Sequence, residues 1–214
     1  DSTADEGSGV QAEVVNDSHV SEAADSGASE TAAGALAVLA LTPENRDTIA
    51  HAQGIKPLIS LFDGGSDAAT EQAALALQRM VVENTPNQLA IVNEAVAMLR
   101  GGSAEAQEHV AALLRNLAQD PENRSAIAKA GAVPELVRQL EMGSEKAMGM
   151  AANGLALIAL KSAEHRATVT GELVKLLGSN KEAVRQRASE ALTDMAADDG
   201  GGGRKGATRV ANGI

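Results

Sequence analysis

The sequence predicts an all-α protein, a solenoid of about four stacked helical repeats preceded by one extra helix. The first observation is that the 214-residue chain repeats itself: TPENRDTIAHAQGIKPLISLF at residues 42–62 returns as DPENRSAIAKAGAVPELVRQL at residues 120–140, which is 78 residues later. The second is that Phe62 is the only aromatic residue, although 44% of the residues are hydrophobic. The core must therefore consist of small aliphatic side chains, which suit closely packed helices.

Each 78-residue unit contains two shorter copies of one pattern. Equivalent positions in the Ala-rich segments are separated by alternating steps of 41 and 37 residues. These positions are Gly34, Leu75, Ala112, Asn153 and Glu190. Because periods of 20 to 50 residues indicate solenoids or arrays, the chain is predicted to be two tandem copies of a long and a short repeat.

The apolar spacing within a repeat is that of a helix. In EQAALALQRMVV, residues 71–82, apolar side chains starting at Ala73 recur at i, i+1, i+4, i+7 and i+8 and form one stripe. Pro43 and Pro121 suit first helical turns, and each follows an N-cap residue. The Gly pair at 64–65 ends one helix before the next begins. Each repeat is therefore predicted to hold a short, a middle and a long third helix.

The repeated phrase also carries a family resemblance. PENRSAIAKAGAVPELVRQL, followed by a Gly-Ser turn and an Ala-rich helix, resembles the armadillo repeat, and HVAALLRNLAQDPENR is similar to that family's joint between repeats. The resemblance covers residues 28–198 and implies a right-handed α-solenoid. The predicted repeats are 43–84, 85–119, 120–161 and 162–198, with one extra long helix at 28–41. The second and fourth repeats lack the Ala-Gly-hydrophobic-Pro link between their first two helices, so the related HEAT repeat stays open for them.

The two ends differ from the solenoid in composition. Residues 1–27 contain seven acidic residues and no Lys or Arg, which predicts an extended acidic arm. Four valines between residues 10 and 20 leave open a helix packed on the first repeat. Residues 199–214 are Gly-rich and basic, which predicts a flexible tail.

Composition argues against several classes of function. The chain has no Cys, which excludes disulfides and thiolate metal sites. Its net charge of −11 argues against nucleic-acid binding, which depends on Lys and Arg. No apolar run approaches the roughly 18 residues of a membrane span, so no direct membrane insertion is expected. The first residue is Asp rather than Met, as expected of a processed or truncated chain, which leaves an organellar location open.

The sequence also lacks the patterns of a catalytic, metal or cofactor site. Its four histidines, His19, His51, His109 and His165, stand at no recurring metal-ligand spacing. No nucleophile motif or phosphate-binding loop is present. We therefore expect no metal, no cofactor and no enzymatic activity.

Stacked repeats form a quasi-one-dimensional rod with a long concave surface made by the third helices, which suits extended or helical segments of other proteins. In armadillo proteins of the importin-alpha and beta-catenin type, a ladder of Asn residues on these helices clamps a peptide backbone. The ladder position is occupied here by Val38, Arg79, Asn116, Leu157 and Asp194. Because only Asn116 keeps the ladder and the chain has no Trp, basic nuclear-import signals are not expected as ligands.

Seven residues are candidates for partner contacts, because they share one predicted face at equivalent or neighbouring repeat positions. They are Glu71, Arg79, Glu108, Arg115, Asn116, Asn153 and Asp194. A solvated charged face is the alternative interpretation. Two functions stay open: an adaptor that binds partner segments along this face, or a permanent subunit of a large assembly whose fixed neighbouring subunits hold both tails. Apolar ends without polar capping repeats favour the second.

Overall fold

The structure is a computed structural model that describes the backbone of residues 17–199 and the side chains of residues 27–197. Within these residues the chain forms eleven helices and no strand, which confirms the predicted all-α solenoid. The helices are α1 (Asp17–Leu39), α2 (Pro43–His51), α3 (Ile55–Ser60), α4 (Asp67–Met80), α5 (Thr85–Gly101), α6 (Ala104–Leu117), α7 (Pro121–Lys129), α8 (Ala132–Met142), α9 (Glu145–Ala159), α10 (Ala163–Leu176) and α11 (Glu182–Asp199).

The long and short repeats differ in one backbone turn. In the long repeats, Gln53 and Gly131 adopt left-handed φ values of 60° and 81°, which ends α2 and α7 and lets α3 and α8 start in a new direction. The short repeats lack this link, so their first and middle helices merge into the single helices α5 and α10. The missing link in the sequence therefore has a direct structural consequence.

The first helix is longer than the sequence suggested. α1 begins at Asp17, inside the segment 1–27 for which an extended arm was predicted. Residues 17–26 contain no Gly or Pro, so nothing local interrupts a helix that continues into the packed part of α1. Residues 1–16 of the predicted arm and residues 200–214 of the predicted tail lie outside the described part of the chain.

One hydrophobic core runs through the solenoid, from Ala33 in α1 to Met195 in α11. The third helices stack closely where small residues allow it. A Cβ added to Gly154 of α9 would lie only 3.7 Å from the Cα of Arg115 in α6. Such close approach buries helix against helix without large side chains, which explains how an interior with one aromatic residue packs.

The repeated PENR phrase performs the same task in both copies. Arg46 donates from Nε to the carbonyl of Ala40 (2.9 Å), and Arg124 donates from Nε to the carbonyl of Ala118 (2.8 Å). The neighbouring Asn45 donates its amide to the carbonyl of Leu39 at 3.0 Å. These carbonyls lie at the ends of third helices, where helical partners are missing. The phrase thus caps the preceding helix as well as starting the next.

Candidate functional site

The exposed sides of the third helices α1, α4, α6, α9 and α11 form the face that the sequence predicts to be concave, called the concave face below. Contacts between neighbours are dense for α1 with α4, for α6 with α9 and for α9 with α11, but sparse for α4 with α6. The face is therefore continuous but not uniform. Two depressions lie on it, one between α4 and α6 and one between α9 and α11.

The α4–α6 depression has a volume of about 220 Å³ and contains two of the predicted contact residues, Glu71 and Asn116. The lining also includes Phe62 and His109, whose rings meet edge to face with centroids 6.1 Å apart. The Nδ1 atom of His109 lies 3.4 Å from the carbonyl oxygen of Phe62. An apolar floor with a carboxylate and an amide beside it can accept one side chain that has an apolar stem and a polar end.

The α9–α11 depression has a volume of about 310 Å³ and brings together Asn153 and Asp194, two further predicted contact residues. It also contains Arg187 and Glu190, whose Nη1 and Oε2 atoms are 2.9 Å apart. Hydrogen bonds from Gln186 and then Arg187 hold the pKa of Glu190 below its usual value. Asn153, Gly149 and Arg187 also line an adjoining cavity of about 460 Å³, so the depression extends along α9.

Three predicted contact residues are engaged within the fold. Arg79 donates from Nη1 to the carbonyl of Ala37 at 2.6 Å and so ties α4 to the end of α1. Arg115 donates from Nη1 to Oδ1 of Asn116 at 2.7 Å, which orients the Asn116 side chain. Glu108 binds across the α6–α9 boundary, as described next. Arg79 and Glu108 thus hold neighbouring repeats together, whereas Arg115 acts within α6.

Glu108 links α6 to the start of α9. Its Oε1 lies 2.5 Å from Nζ of Lys146, and its Oε2 accepts a hydrogen bond from the Ser144 hydroxyl at 2.7 Å. The hydrogen bond from Lys146 lowers the pKa of Glu108, partly opposed by burial. The carboxylate therefore remains charged at neutral pH and is satisfied by the fold.

The other predicted residues remain available. Glu71, Asn153 and Asp194 are exposed, and none of them has a hydrogen bond or an ion pair within the described residues. Asn116 keeps its Nδ2 donors, since Arg115 occupies only its oxygen. Of the seven predicted residues, four are therefore open to a ligand and three support the fold.

Sequence reasoning missed Phe62 and His109 in the first depression and Arg187 in the second. Phe62 and His109 come from different repeats, as do Asn153 and Arg187. The one signal in the sequence for the first depression was that Phe62 is the single aromatic residue of the chain. Side chains that meet only after stacking leave no local pattern in the sequence.

The structure adds two observations on metal and membrane sites. In residues 27–197 no group of three or more His, Asp or Glu side chains is arranged to hold a metal ion. None of the described helices combines the length and apolarity that crossing a membrane requires. His19 belongs to α1, in the part whose side chains are not described.

Comparisons with known proteins agree with the resemblance to the armadillo repeat. Residues 42–82 match the family model of the Armadillo/beta-catenin-like repeat. Among solved structures, an engineered protein is 30% identical with a TM-score of 0.51, and the match covers 80% of this chain and 74% of that one. A designed armadillo repeat protein in complex with the peptide (KR)4 is 23% identical with a TM-score of 0.53, over 78% and 74%. A further engineered protein is 24% identical with a TM-score of 0.55, over 80% and 76%. No curated protein gives a match.

Proposed function

The chain belongs to the armadillo repeat family, and we propose that it is a non-catalytic protein that binds segments of partner proteins along its concave face. Armadillo folds are a binding-scaffold type rather than an enzyme type, and one structural neighbour, the designed protein named above, was solved with a bound peptide. The observation that carries the proposal is the pair of depressions on one continuous face, each with exposed polar groups that no internal partner satisfies.

The geometry supports binding of an extended segment. Asn153 presents an amide that can both donate to and accept from a peptide backbone, and Asn116 offers the Nδ2 donors that Arg115 leaves open. Their depressions, of about 220 and 310 Å³, each suit a side chain of the bound segment. Glu71 and Asp194 add negative charge at the two rims, which favours segments with a cationic or hydrogen-bond-donating residue at those positions.

A selection from a library of random short peptides tests this proposal. Peptides selected on the wild-type chain should bind at least tenfold more weakly to a Glu71→Arg, Asp194→Arg double variant, as measured by fluorescence anisotropy. Both residues are exposed, so the variant should fold. The matched control is Lys56→Glu, an exposed charge reversal on α3, which should leave affinity unchanged. Selected peptides that bind the double variant as tightly as the wild type would refute the proposal.

A permanent place in a larger assembly is the second candidate function. It is favoured by exposed apolar side chains along the solenoid, which fixed neighbours could cover: Met142 is 73% exposed, Val38 63%, Leu41 57% and Val174 53%. Crosslinking with mass spectrometry in gently lysed source material distinguishes the two functions. Links to fixed neighbours at constant stoichiometry indicate an assembly subunit, whereas salt-sensitive links confined to the concave face indicate an adaptor.

A further inference from the structure

Two joints of the solenoid are equivalent in sequence register but differ in the chemistry of their side chains. The first joint is the contact between α2 and the start of α5, and the second joint is the equivalent region between α7 and the start of α10. A shift of 78 residues superimposes their sequences. The turn before each fused helix has a left-handed residue, Glu83 (φ 51°) in the first joint and Lys161 (φ 59°) in the second. The joints therefore share this turn, although α2 contacts α5 more than α7 contacts α10, and they differ in their side chains.

The first joint is closed by internal hydrogen bonds. Asn84 donates from Nδ2 to Oδ1 of Asp47 at 2.7 Å and so links α5 to α2. Asn87 donates from Nδ2 to the carbonyls of Arg46 and Met80, both at 3.2 Å. The polar groups at this joint satisfy one another.

The second joint has lost these links. Ser125 and Ser162 stand where the first joint has Asp47 and Asn84. The Ser162 hydroxyl accepts from the backbone N–H of His165 at 3.3 Å, just as Oδ1 of Asn84 accepts from the N–H of Asn87 at 3.1 Å, but serine has no amide group to replace the donor that reaches Asp47. His165 replaces Asn87, and its Nδ1 atom is buried without a hydrogen-bond partner. A cavity of about 600 Å³ lies here, lined by Ser125, Ser162 and His165 together with apolar groups.

The charge of the second joint is also reversed. Lys129 and Lys161 replace His51 and Glu83. Both lysines line the cavity, and within the described residues neither has a hydrogen bond or an ion pair. Arg124, which is only 8% exposed, is a third cation in the lining. Glu164 is the acidic residue among the described lining residues, so the positive charges outnumber the negative one. In a chain of net charge −11, this is a local positive site with an opening large enough for a ligand group.

We propose that the second joint binds an acidic segment of a partner protein. Carboxylates of the segment pair with Lys129 and Lys161, and the segment packs against Val133 and Pro134, which form part of the apolar lining. A protein segment fits better than a nucleic acid or an anionic membrane, because those extended surfaces would also meet the repulsion of an acidic protein. The site lies on first and middle helices, so it is separate from the concave face and goes beyond the function proposed above.

The test uses the full chain and a fluorescein-labelled peptide of alternating Glu and Ala, followed by fluorescence anisotropy at low salt. A Lys129→His, Lys161→Glu variant installs the residues of the first joint, and Glu already occupies the same left-handed turn there. We expect at least a tenfold loss of affinity. Lys56→Glu changes the net charge as Lys161→Glu does, but on α3, and it should alter affinity less than twofold.

A second variant tests the cavity itself. Ser125→Asp with Ser162→Asn transfers the closing hydrogen bond of the first joint into the second, and it should abolish peptide binding while keeping or raising the unfolding temperature. The Glu71→Arg, Asp194→Arg variant should bind the acidic peptide as well as the wild type, which separates this proposal from the concave-face function. Equal affinity of the wild type and the Lys129→His, Lys161→Glu variant would overturn the proposal. So would binding of phosphatidylserine vesicles or polyuridylate by a chain that leaves the acidic peptide unbound.

Discussion

The two halves of the solenoid keep the same helices but differ where those helices are exposed or line a depression. Arg46 and Arg124 cap the preceding third helix in the same way. By contrast, Phe62 corresponds to Leu140, and Glu83 corresponds to Lys161. The difference shows that the capping positions fix the architecture, whereas positions at the depressions and joints, including the buried Phe62, can change between repeats without altering the order of the helices.

The junction between α4 and α6 is the clearest structural difference between the halves. Phe62 and His109 stand at this junction, whereas the equivalent residues at the α9–α11 junction are Leu140 and Arg187. The aromatic ring occupies more space than leucine, and α4 and α6 touch more sparsely than α9 and α11. We infer that Phe62 sets the width of the α4–α6 depression.

Replacing Phe62 should have the largest effect on stability. Phe62 is only 1% exposed, and Phe62→Ala should cost about 3–5 kcal/mol of unfolding free energy through lost burial and a cavity. Phe62→Leu, which installs the residue of the second half, should cost about 1 kcal/mol. Urea unfolding followed by circular dichroism measures both. A Phe62→Ala variant within about 1 kcal/mol of the wild type would show that the ring is not a packing element.

Removal of a capping arginine should have the second-largest effect on stability. Arg124 donates to the carbonyls of Ala118 and Gln119, and Arg124→Ala should cost about 1.5–3 kcal/mol because buried carbonyls lose charged donors. Arg46→Ala should give a similar loss. The control is Arg124→Lys, which restores the charge but not the planar fork and should recover less than half of the loss. Full recovery by lysine would mean that charge alone suffices.

Breaking the ion pair between Glu108 and Lys146 should have the smallest effect on stability, and this effect should depend on pH. The hydrogen bond from Lys146 lowers the pKa of Glu108 in the folded chain. Its stabilisation is therefore fully present above the ordinary carboxyl pKa of about 4.3 and is lost as the pH falls through the lower folded value. Glu108→Gln, which matches Gln186 of the second half, should cost about 0.2–1 kcal/mol at neutral pH.

The matched control for this pair is Glu105→Gln, an exposed substitution on the same helix. The unfolding free energy of all three chains is measured from pH 7 down to acid pH. The values for the wild type and Glu108→Gln should converge once the Glu108 carboxylate of the wild type is protonated. A constant difference at every pH would show that the loss comes from packing rather than from charge.

The sequence by itself determined the architecture. A phrase repeated after 78 residues, proline at helix starts and a missing link in two repeats are local signals, because capping and turn geometry depend on a few neighbouring residues. They predicted the solenoid and the order of its helices. They did not place the start of α1, which depends on where an acidic helix stops being supported by packing.

The tertiary structure decided which candidate residues are open to a ligand. Glu108 meets Lys146, and Arg79 meets the carbonyl of Ala37, across 38 and 42 residues of sequence, and only stacking brings such groups together. Asn116 and Asn153 have the same residue type, yet one is oriented by Arg115 and the other is exposed. The positive cavity at Lys129 and Lys161 is likewise lined by residues of α7, α8 and α10, which only the folded solenoid brings together. Burial and charge pairing depend on distances in space, which periodicity along the chain does not specify.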